Sequence, residues 1–366
     1  MKTTHIPAGP EQLSADWLTD ALRQNGILGR AKVAAFDAAL IGEGAGFIGQ
    51  LARVGLRYDR DEPGAPRTLI AKFPAATEGG REIGNLFRFY EREIRFYEEI
   101  ARRVELRTPK RYHSAMDVGR GQYVLLLEDL APARVGDQVA GCSLDEARLA
   151  VSELAKFHAA WWQHPELDAM DWMLVVDDPV HQSAEQSYAE AWEPFVENFA
   201  GGLSKEMLAI AERVGDNVIN LLHGFADEPR TIMHGDYRLD NMFFAGPAGG
   251  PEFAVVDWQI TSRGRGIFDL AYFVCGGLQP ALRRAHEMEL VRLYHDILLA
   301  RGVKGYDFDR CLREYRTGAL YLLVYVVISL GTLDTANERG VALFHAWLDR
   351  ATTAILELDA GELMPG

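Results

Sequence analysis

The chain is short of cysteine, of basic charge and of long apolar runs, and each shortage argues against a class of protein. Only Cys142, Cys275 and Cys311 occur in 366 residues, far apart and without a C-x-x-C spacing. They read as reduced, mostly buried thiols of a cytoplasmic protein rather than a disulfide framework. Lys and Arg number 38 against 53 Asp and Glu, giving a net charge of −15. A nucleic-acid surface needs clustered positive charge, which this balance does not favour; a cationic substrate is permitted but not demonstrated. The most apolar run, Ala319 to Leu330, contains Tyr321 and Tyr325 and stops at Gly331. It is too short to cross a bilayer and reads as a buried helix. The opening segment MKTTHIPAGPEQLSADWLTDAL has no continuous apolar core, so no secretory signal is expected. What remains is globular: 48% of residues are apolar and 25% charged, and the length favours two lobes over one.

The stretch from Thr231 to Gln259, TIMHGDYRLDNMFFAGPAGGPEFAVVDWQ, carries the strongest chemical pattern. Met242-Phe243-Phe244 and Phe253-Ala254-Val255-Val256 are short apolar runs, and residues 245–252 between them are rich in Gly and Pro. The pattern predicts a β-hairpin. With Phe244 opposite Ala254, Asn241 falls opposite Asp257, and directly opposed Cβ atoms lie about 4.5–5.5 Å apart. That gap suits an amide oxygen and a carboxylate sharing a hard cation such as Mg²⁺. His234-Gly235-Asp236 leads into the same loop, and Asp240 adjoins Asn241. Crowded carboxylates repel unless a cation or proton compensates. The plain alternative is a surface turn with ordinary acidic residues.

Upstream, Ser14 to Asn25 reads as an amphipathic helix, and 32–41 and 51–58 as strands flanking Gly42-Glu43-Gly44-Ala45-Gly46-Phe47-Ile48-Gly49. Gly44, Gly46 and Gly49 fit G-x-G-x-x-G, but a dinucleotide fingerprint passes from strand into helix. Here β-prone residues continue on the far side, which makes a hairpin tip. Such a tip either cradles phosphates with its backbone N–H groups or is merely a flexible turn. A third strand, Thr68 to Phe73, holds Lys72. A lone strand lysine either lies on an exposed edge or, beside a carboxylate, is held charged to grip phosphate. A helix from Asn85 to Val104, apolar at Leu86, Phe87, Tyr90, Ile94, Tyr97 and Ile100, offers Glu93 as that partner. Residues 111–116 and 122–128 form a second hairpin, with Tyr123 to Leu127 apolar throughout as in a buried central strand.

After Glu128-Asp129-Leu130 the composition shifts, which places a lobe boundary there: residues 1–130 and 131–366. The second part is nearly all helix. Ser143 and Glu146 form a capping box for a helix through Trp162, on which His158 reads as a hydrogen-bonded core residue. Residues 163–199 read as irregular at first and then helical, and further helices are expected at 207–225, 268–276, 280–301, 307–330 and 339–358. Trp161, Trp162 and Trp192, with Trp172, Tyr188 and Phe195, either wall a pocket for an apolar alcohol or belong to the core.

The order of these parts resembles the protein-kinase-like fold, and within it the aminoglycoside phosphotransferase and choline-kinase-like families, including ecdysteroid-kinase-like proteins. The resemblance runs from about Leu40 to Phe273 and rests most on His234-Gly235-Asp236-Tyr237-Arg238-Leu239-Asp240-Asn241, Asp257-Trp258-Gln259 and Phe268-Asp269-Leu270-Ala271. It implies an α+β fold of two lobes: a small N-terminal one with an antiparallel sheet and one helix, and a larger helical one. It further implies ATP between the lobes, its adenine on the backbone of Glu128, Asp129 and Leu130 and its phosphates under Gly44, Gly46 and Gly49. Lys72, braced by Glu93, would hold phosphates; Asn241 and Asp257 would bind Mg²⁺; and Asp236 would accept a hydroxyl proton. His234 and Asp269 would support the loop, and Asp240 the loop or a second metal. Two departures set protein substrates aside. Eleven residues between Asp257 and Asp269 leave no room for an activation segment, and Gly235 stands where H-R-D has Arg. The expected acceptor is a small hydroxyl-bearing molecule; a weakly active nucleotide-binding scaffold is the alternative.

Overall fold

Alternating apolar and polar residues pair into strands at the N-terminal end, and the first of two units grows around them. The computed structural model describes residues 5–41, 49–332 and 338–364. Helix α1 (Ala15–Gln24) starts at Ser14, whose side chain accepts the Trp17 N–H, and buries Leu18 and Leu22. Strands β1 (Val33–Ile41), β2 (Gly49–Tyr58) and β3 (Thr68–Pro74) follow. Then come helices α2 (Glu78–Leu86) and α3 (Phe89–Arg95), and strands β4 (Arg111–Asp117) and β5 (Gln122–Glu128). The sheet order is β1-β2-β3-β5-β4, every neighbour antiparallel. Leu69 and Ala71 of β3 join the core with α1. The period of two therefore turns Lys72 to the other face.

One expectation changes here. The single helix expected at 85–104 is α2, then a break, then α3 continuing into a π turn at Phe96–Ile100 and a 3₁₀ turn at Ala101–Arg103. Arg88, at φ 55°, is left-handed and ends the first helix. The glycine-rich start of α2 hid it from a propensity reading, yet Gly84 is needed there, because a Cβ would lie 2.5 Å from the Tyr90 ring. Gly44 and Gly46 lie outside the described residues. Ile41 opposes Leu51 in an antiparallel pair, which is incompatible with a parallel βαβ unit.

The two units are Met1–Arg103, Arg107–Pro132 with Val256–Gln259, and Val104–Leu106, Ala133–Val255 with Ile260–Gly366. A single boundary after Leu130 therefore misplaces 256–259. Trp258 is fully buried and stacks on Phe96, with centroids 3.8 Å apart, which ties those residues to the sheet unit.

In the second unit β6 (Arg134–Val135) precedes α4 (Leu144–Trp161), which begins with the expected Ser143–Glu146 capping box. Helices α5 (Ser183–Phe199), α6 (Lys205–Gly215) and α7 (Val218–Ala226) follow. The expected single helix at 207–225 is thus two, interrupted at Asp216-Asn217, residues that favour caps over helix interiors. Strands β7 (Thr231–Met233), β8 (Met242–Gly246), β9 (Gly249–Val255) and β10 (Ser262–Gly264) frame the loop from His234 to Asn241. The hairpin β8–β9 forms, one residue out of the expected register: Phe243, not Phe244, faces Ala254. Its turn is tighter than foreseen, with Gly246 opposite Gly249. Asn241 lies outside the ladder in a 3₁₀ turn, so it is not a ladder partner of Asp257. Helices α8 (Ile267–Gly277), α9 (Pro280–Ala300), α10 (Phe308–Gly331) and α11 (Glu338–Glu357) complete the unit. Every residue of α8 is buried. Among the described residues no helix is long and apolar enough to cross a membrane.

Candidate active site

In the sheet unit, the face of β3 opposite α1 presents one ammonium to two carboxylates. Lys72 Nζ lies 2.6 Å from Glu93 Oε1 and 3.0 Å from Asp257 Oδ1. Burial alone would lower the Lys72 pKa, but Asp257 and Glu93 outweigh it and hold the ammonium charged. Glu93 is pushed toward its neutral form. Burial raises its pKa, and Asp257 adds to the rise while Lys72 opposes it. One cation shared by two carboxylates leaves the cluster a negative charge in excess, which a further cation would relieve. Glu93 also accepts the backbone N–H of Trp258. Asp257 itself sits at φ 66°, a strained conformation for a residue with a side chain and one that concentrates at functional sites. A cavity of about 30 Å³ opens beside the cluster, lined by Gly49, Lys72, Tyr90, Glu93, Tyr123 and Gln259 among others.

At the end of the sheet, Glu128 accepts from Arg107 and from the Lys110 N–H. Asp129 is held by Arg53 at 2.8 Å, and Leu130 is buried. The side chains of this segment are thus engaged in structure.

In the helical unit, Asp236 is enclosed by donors. Its Oδ1 accepts the Tyr272 hydroxyl at 2.6 Å, and its Oδ2 accepts Arg238 Nε at 3.0 Å and Asn241 Nδ2 at 2.9 Å. Burial pushes this carboxyl up, but Arg238, Tyr272 and His234 more than cancel that and leave it below the usual carboxylate range. Tyr272, buried beside that carboxylate, is pushed well above the usual phenol range and stays a donor. Asp269, on α8, accepts the backbone N–H groups of His234 and Gly235 at 2.6 and 2.9 Å. His158, fully buried, bridges Asp269 and Tyr294, so it is the hydrogen-bonded core residue expected. Gly235 has φ 85°, and a Cβ there would meet the Ile260 carbonyl at 2.8 Å; only glycine fits this corner. Asp240 supports the loop: it accepts Arg238 Nη1 at 2.8 Å and the Gln138 N–H at 3.0 Å.

Mg²⁺ prefers oxygen ligands and is held by one or two protein groups plus substrate phosphates. Among the described residues no three His, Cys, Asp or Glu side chains form a metal cage. Each unit nonetheless offers an oxygen of the kind Mg²⁺ takes. Asp257 Oδ2 carries no hydrogen bond among the described residues, and Asn241 directs its amide hydrogens to the carbonyl and carboxylate of Asp236, leaving its own oxygen available.

Sequence reasoning missed Tyr272, Arg238 and Gln138. Tyr272 stands three residues after Asp269, on the face of α8 that reaches the loop, and that helical spacing was its signal. Gln138 had none: it lies in the polar stretch after Leu130, yet its side chain accepts the Leu239 N–H and donates to the Gly276 carbonyl. The tryptophans do not form one wall. Trp161 is 2% exposed and belongs to the core. Trp162 packs on Tyr306, and Trp192 on Tyr188 and Phe195, with no ring contact between Trp162 and Trp192 among the described residues.

A model of the ecdysteroid kinase-like family matches residues 43–303. No curated protein matches. Among solved structures the chain is similar to choline kinase from Cryptosporidium parvum, at TM-score 0.56 and 10% identity, covering 96% of this chain and 98% of that one. It is similar too to aminoglycoside 2'-phosphotransferase-IIIa in its GDP complex, at TM-score 0.51 and 14% identity, covering 92% and 97%. Ethanolamine kinase from Plasmodium vivax matches at TM-score 0.50 and 12% identity, covering 91% and 85%. At these identities the likeness establishes a protein-kinase-like fold.

Proposed function

The chain belongs to the ecdysteroid kinase-like family, and from that premise we propose that it transfers the γ-phosphoryl group of Mg-ATP to a hydroxyl of a small molecule. Lys72, kept charged by Glu93 and Asp257, binds phosphate oxygens. Backbone groups of Glu128, Asp129 and Leu130 receive the adenine, and Gly49, which lines the cavity beside Lys72, approaches the phosphates. Asp257 and Asn241 offer oxygens to Mg²⁺, which supplies charge compensation on the phosphates when bound. Asp236 orients the acceptor hydroxyl and takes its proton. The acceptor oxygen bonds to the γ-phosphorus as the bond to the bridging oxygen of ADP breaks, and that oxygen keeps the electron pair.

Oδ1 of Asp236, with a single present partner, retains lone-pair capacity, and the lowered pKa keeps the carboxyl ionised at neutral pH. His234 and Asp269 hold the loop. The observation that carries the reading is the one-ammonium, two-carboxylate cluster, whose excess negative charge calls for a divalent cation. The test incubates a library of hydroxylated metabolites with the full chain and Mg-ATP, followed by mass spectrometry and phosphorus NMR. A phosphate ester formed by the native chain and not by Asp257→Ala supports the reading. An ester formed equally by both contradicts it.

A further inference from the structure

One cavity of the helical unit lies among residues to which the phosphoryl-transfer reading gives no role. It encloses about 130 Å³ and is walled by Trp162, Tyr306, Lys304, Arg310, Gln163 and Glu228 among others. An engineered cavity of roughly 150 Å³ admits benzene, so this space suits a single ring. Trp162 and Tyr306 present their rings at a centroid distance of 4.9 Å and an angle of 60°. Such tilted faces pack well against a third ring.

The charges of the lining are unequally occupied. Arg310 is fixed: its Nε donates to Glu314 at 2.9 Å, its Nη2 to the Glu228 carbonyl at 2.8 Å, and its guanidinium lies over Tyr306. Glu314 and that carbonyl also hold Arg265, so the arginine is preorganised, and its Nη1 makes no hydrogen bond among the described residues. Lys304 is exposed and has no ion-pair partner among them. The one carboxylate of the lining, Glu228, accepts from Gln163 Nε2 at 3.2 Å and lies 4.0 Å from Arg230. Two cations against one engaged carboxylate favour a monoanion. Gln163 sits at φ 48°, in the left-handed region that residues with side chains adopt at a cost and that recurs at ligand clamps.

We propose that this cavity is a second ligand site, selective for a compact planar monoanion of the aryl carboxylate class. The ring packs on Trp162 and Tyr306, and the carboxylate is met by Lys304 and the remaining donor of Arg310. Planar guanidinium and carboxylate groups suit each other in such a pair.

The test titrates the full chain with benzoate by calorimetry and ligand-observed NMR, with benzylamine as a probe of similar size and opposite charge. Saturable benzoate binding is expected, with none for benzylamine. Lys304→Glu, on an exposed side chain whose exchange leaves the fold intact, weakens benzoate by about tenfold or more, and Trp162→Ala weakens it too. Asp257→Ala leaves benzoate binding unchanged, which separates this site from the nucleotide groups. Absence of saturable benzoate binding, equal binding of benzylamine, or benzoate affinity unaltered in Lys304→Glu would overturn the proposal.

Discussion

The two clusters of the candidate site solve the problem of a buried carboxylate in opposite ways. Around Lys72 a single ammonium serves Glu93 and Asp257, and negative charge is left over. Around Asp236 a guanidinium, a phenol and an amide converge on one carboxylate, although the guanidinium also serves Asp240. The first pair of carboxylates shares one donor side chain and is incomplete without a further cation; the second is finished in geometry, with donors on both oxygens of Asp236. In a phosphotransferase the difference has a use. On the proposed reading, the first deficit is met by the cation that accompanies a polyphosphate, whereas the proposed base is ionised and aimed before its substrate arrives.

The sharpest way to break this comparison is to remove the proposed base. Asp236→Asn is expected to lower phosphoryl transfer by about 10²–10⁴-fold while ATP affinity persists, as measured by single-turnover assay and calorimetry. Next comes Lys72→Met, which leaves Glu93 and Asp257 facing each other without a cation. Breaking a buried pair costs roughly 3–5 kcal/mol, read from urea unfolding at pH 7. Glu93 already has a raised pKa, so this cost should shrink as pH falls and Glu93 takes up a proton. A loss independent of pH would contradict the charge account.

The sheet unit carries a second pH-dependent group. His113 on β4 is buried, and burial, then Arg111, lower its pKa to about 4. Its native state resists protonation while the unfolded chain, at about 6.5, does not. Stability is therefore full above about pH 6.5 and declines as pH falls toward 4, by roughly 3 kcal/mol. His113→Gln should flatten that part of the pH–stability curve. Tyr272→Phe probes the finished cluster: losing one hydrogen bond to a carboxylate costs roughly 1.5–3 kcal/mol, visible as a lower kcat with KM for ATP unmoved. The smallest expected effect is Ser143→Ala, about 1 kcal/mol of stability from the lost cap of α4, with activity retained.

How much of this was legible beforehand follows the same division. Lys72 and Glu93 could be paired from a strand position and a helical stripe, because both periodicities are local and strong. The capping box before α4 and the core role of His158 were legible for the same reason. The break at Arg88 was not, since a left-handed residue other than glycine leaves no propensity signal. The hairpin register slipped by one because a glycine-rich segment does not specify where its turn closes. Tyr272, Arg238 and Gln138 escaped because their roles depend on which loop α8 and the 134–142 segment pack against, a long-range fact that no window of sequence contains. The dispersal of Trp161, Trp162 and Trp192 has the same origin.

The central claim is that the Lys72–Glu93–Asp257 cluster is built for a magnesium-bound nucleotide. Calorimetric titration of ATP with and without Mg²⁺, on the native chain and on Asp257→Ala, tests it most directly. The native chain should bind ATP about tenfold or more tightly with Mg²⁺ present, a difference of roughly 1.4 kcal/mol, and Asp257→Ala should lose that gain while still binding ATP alone. An equal magnesium dependence in both proteins would contradict it.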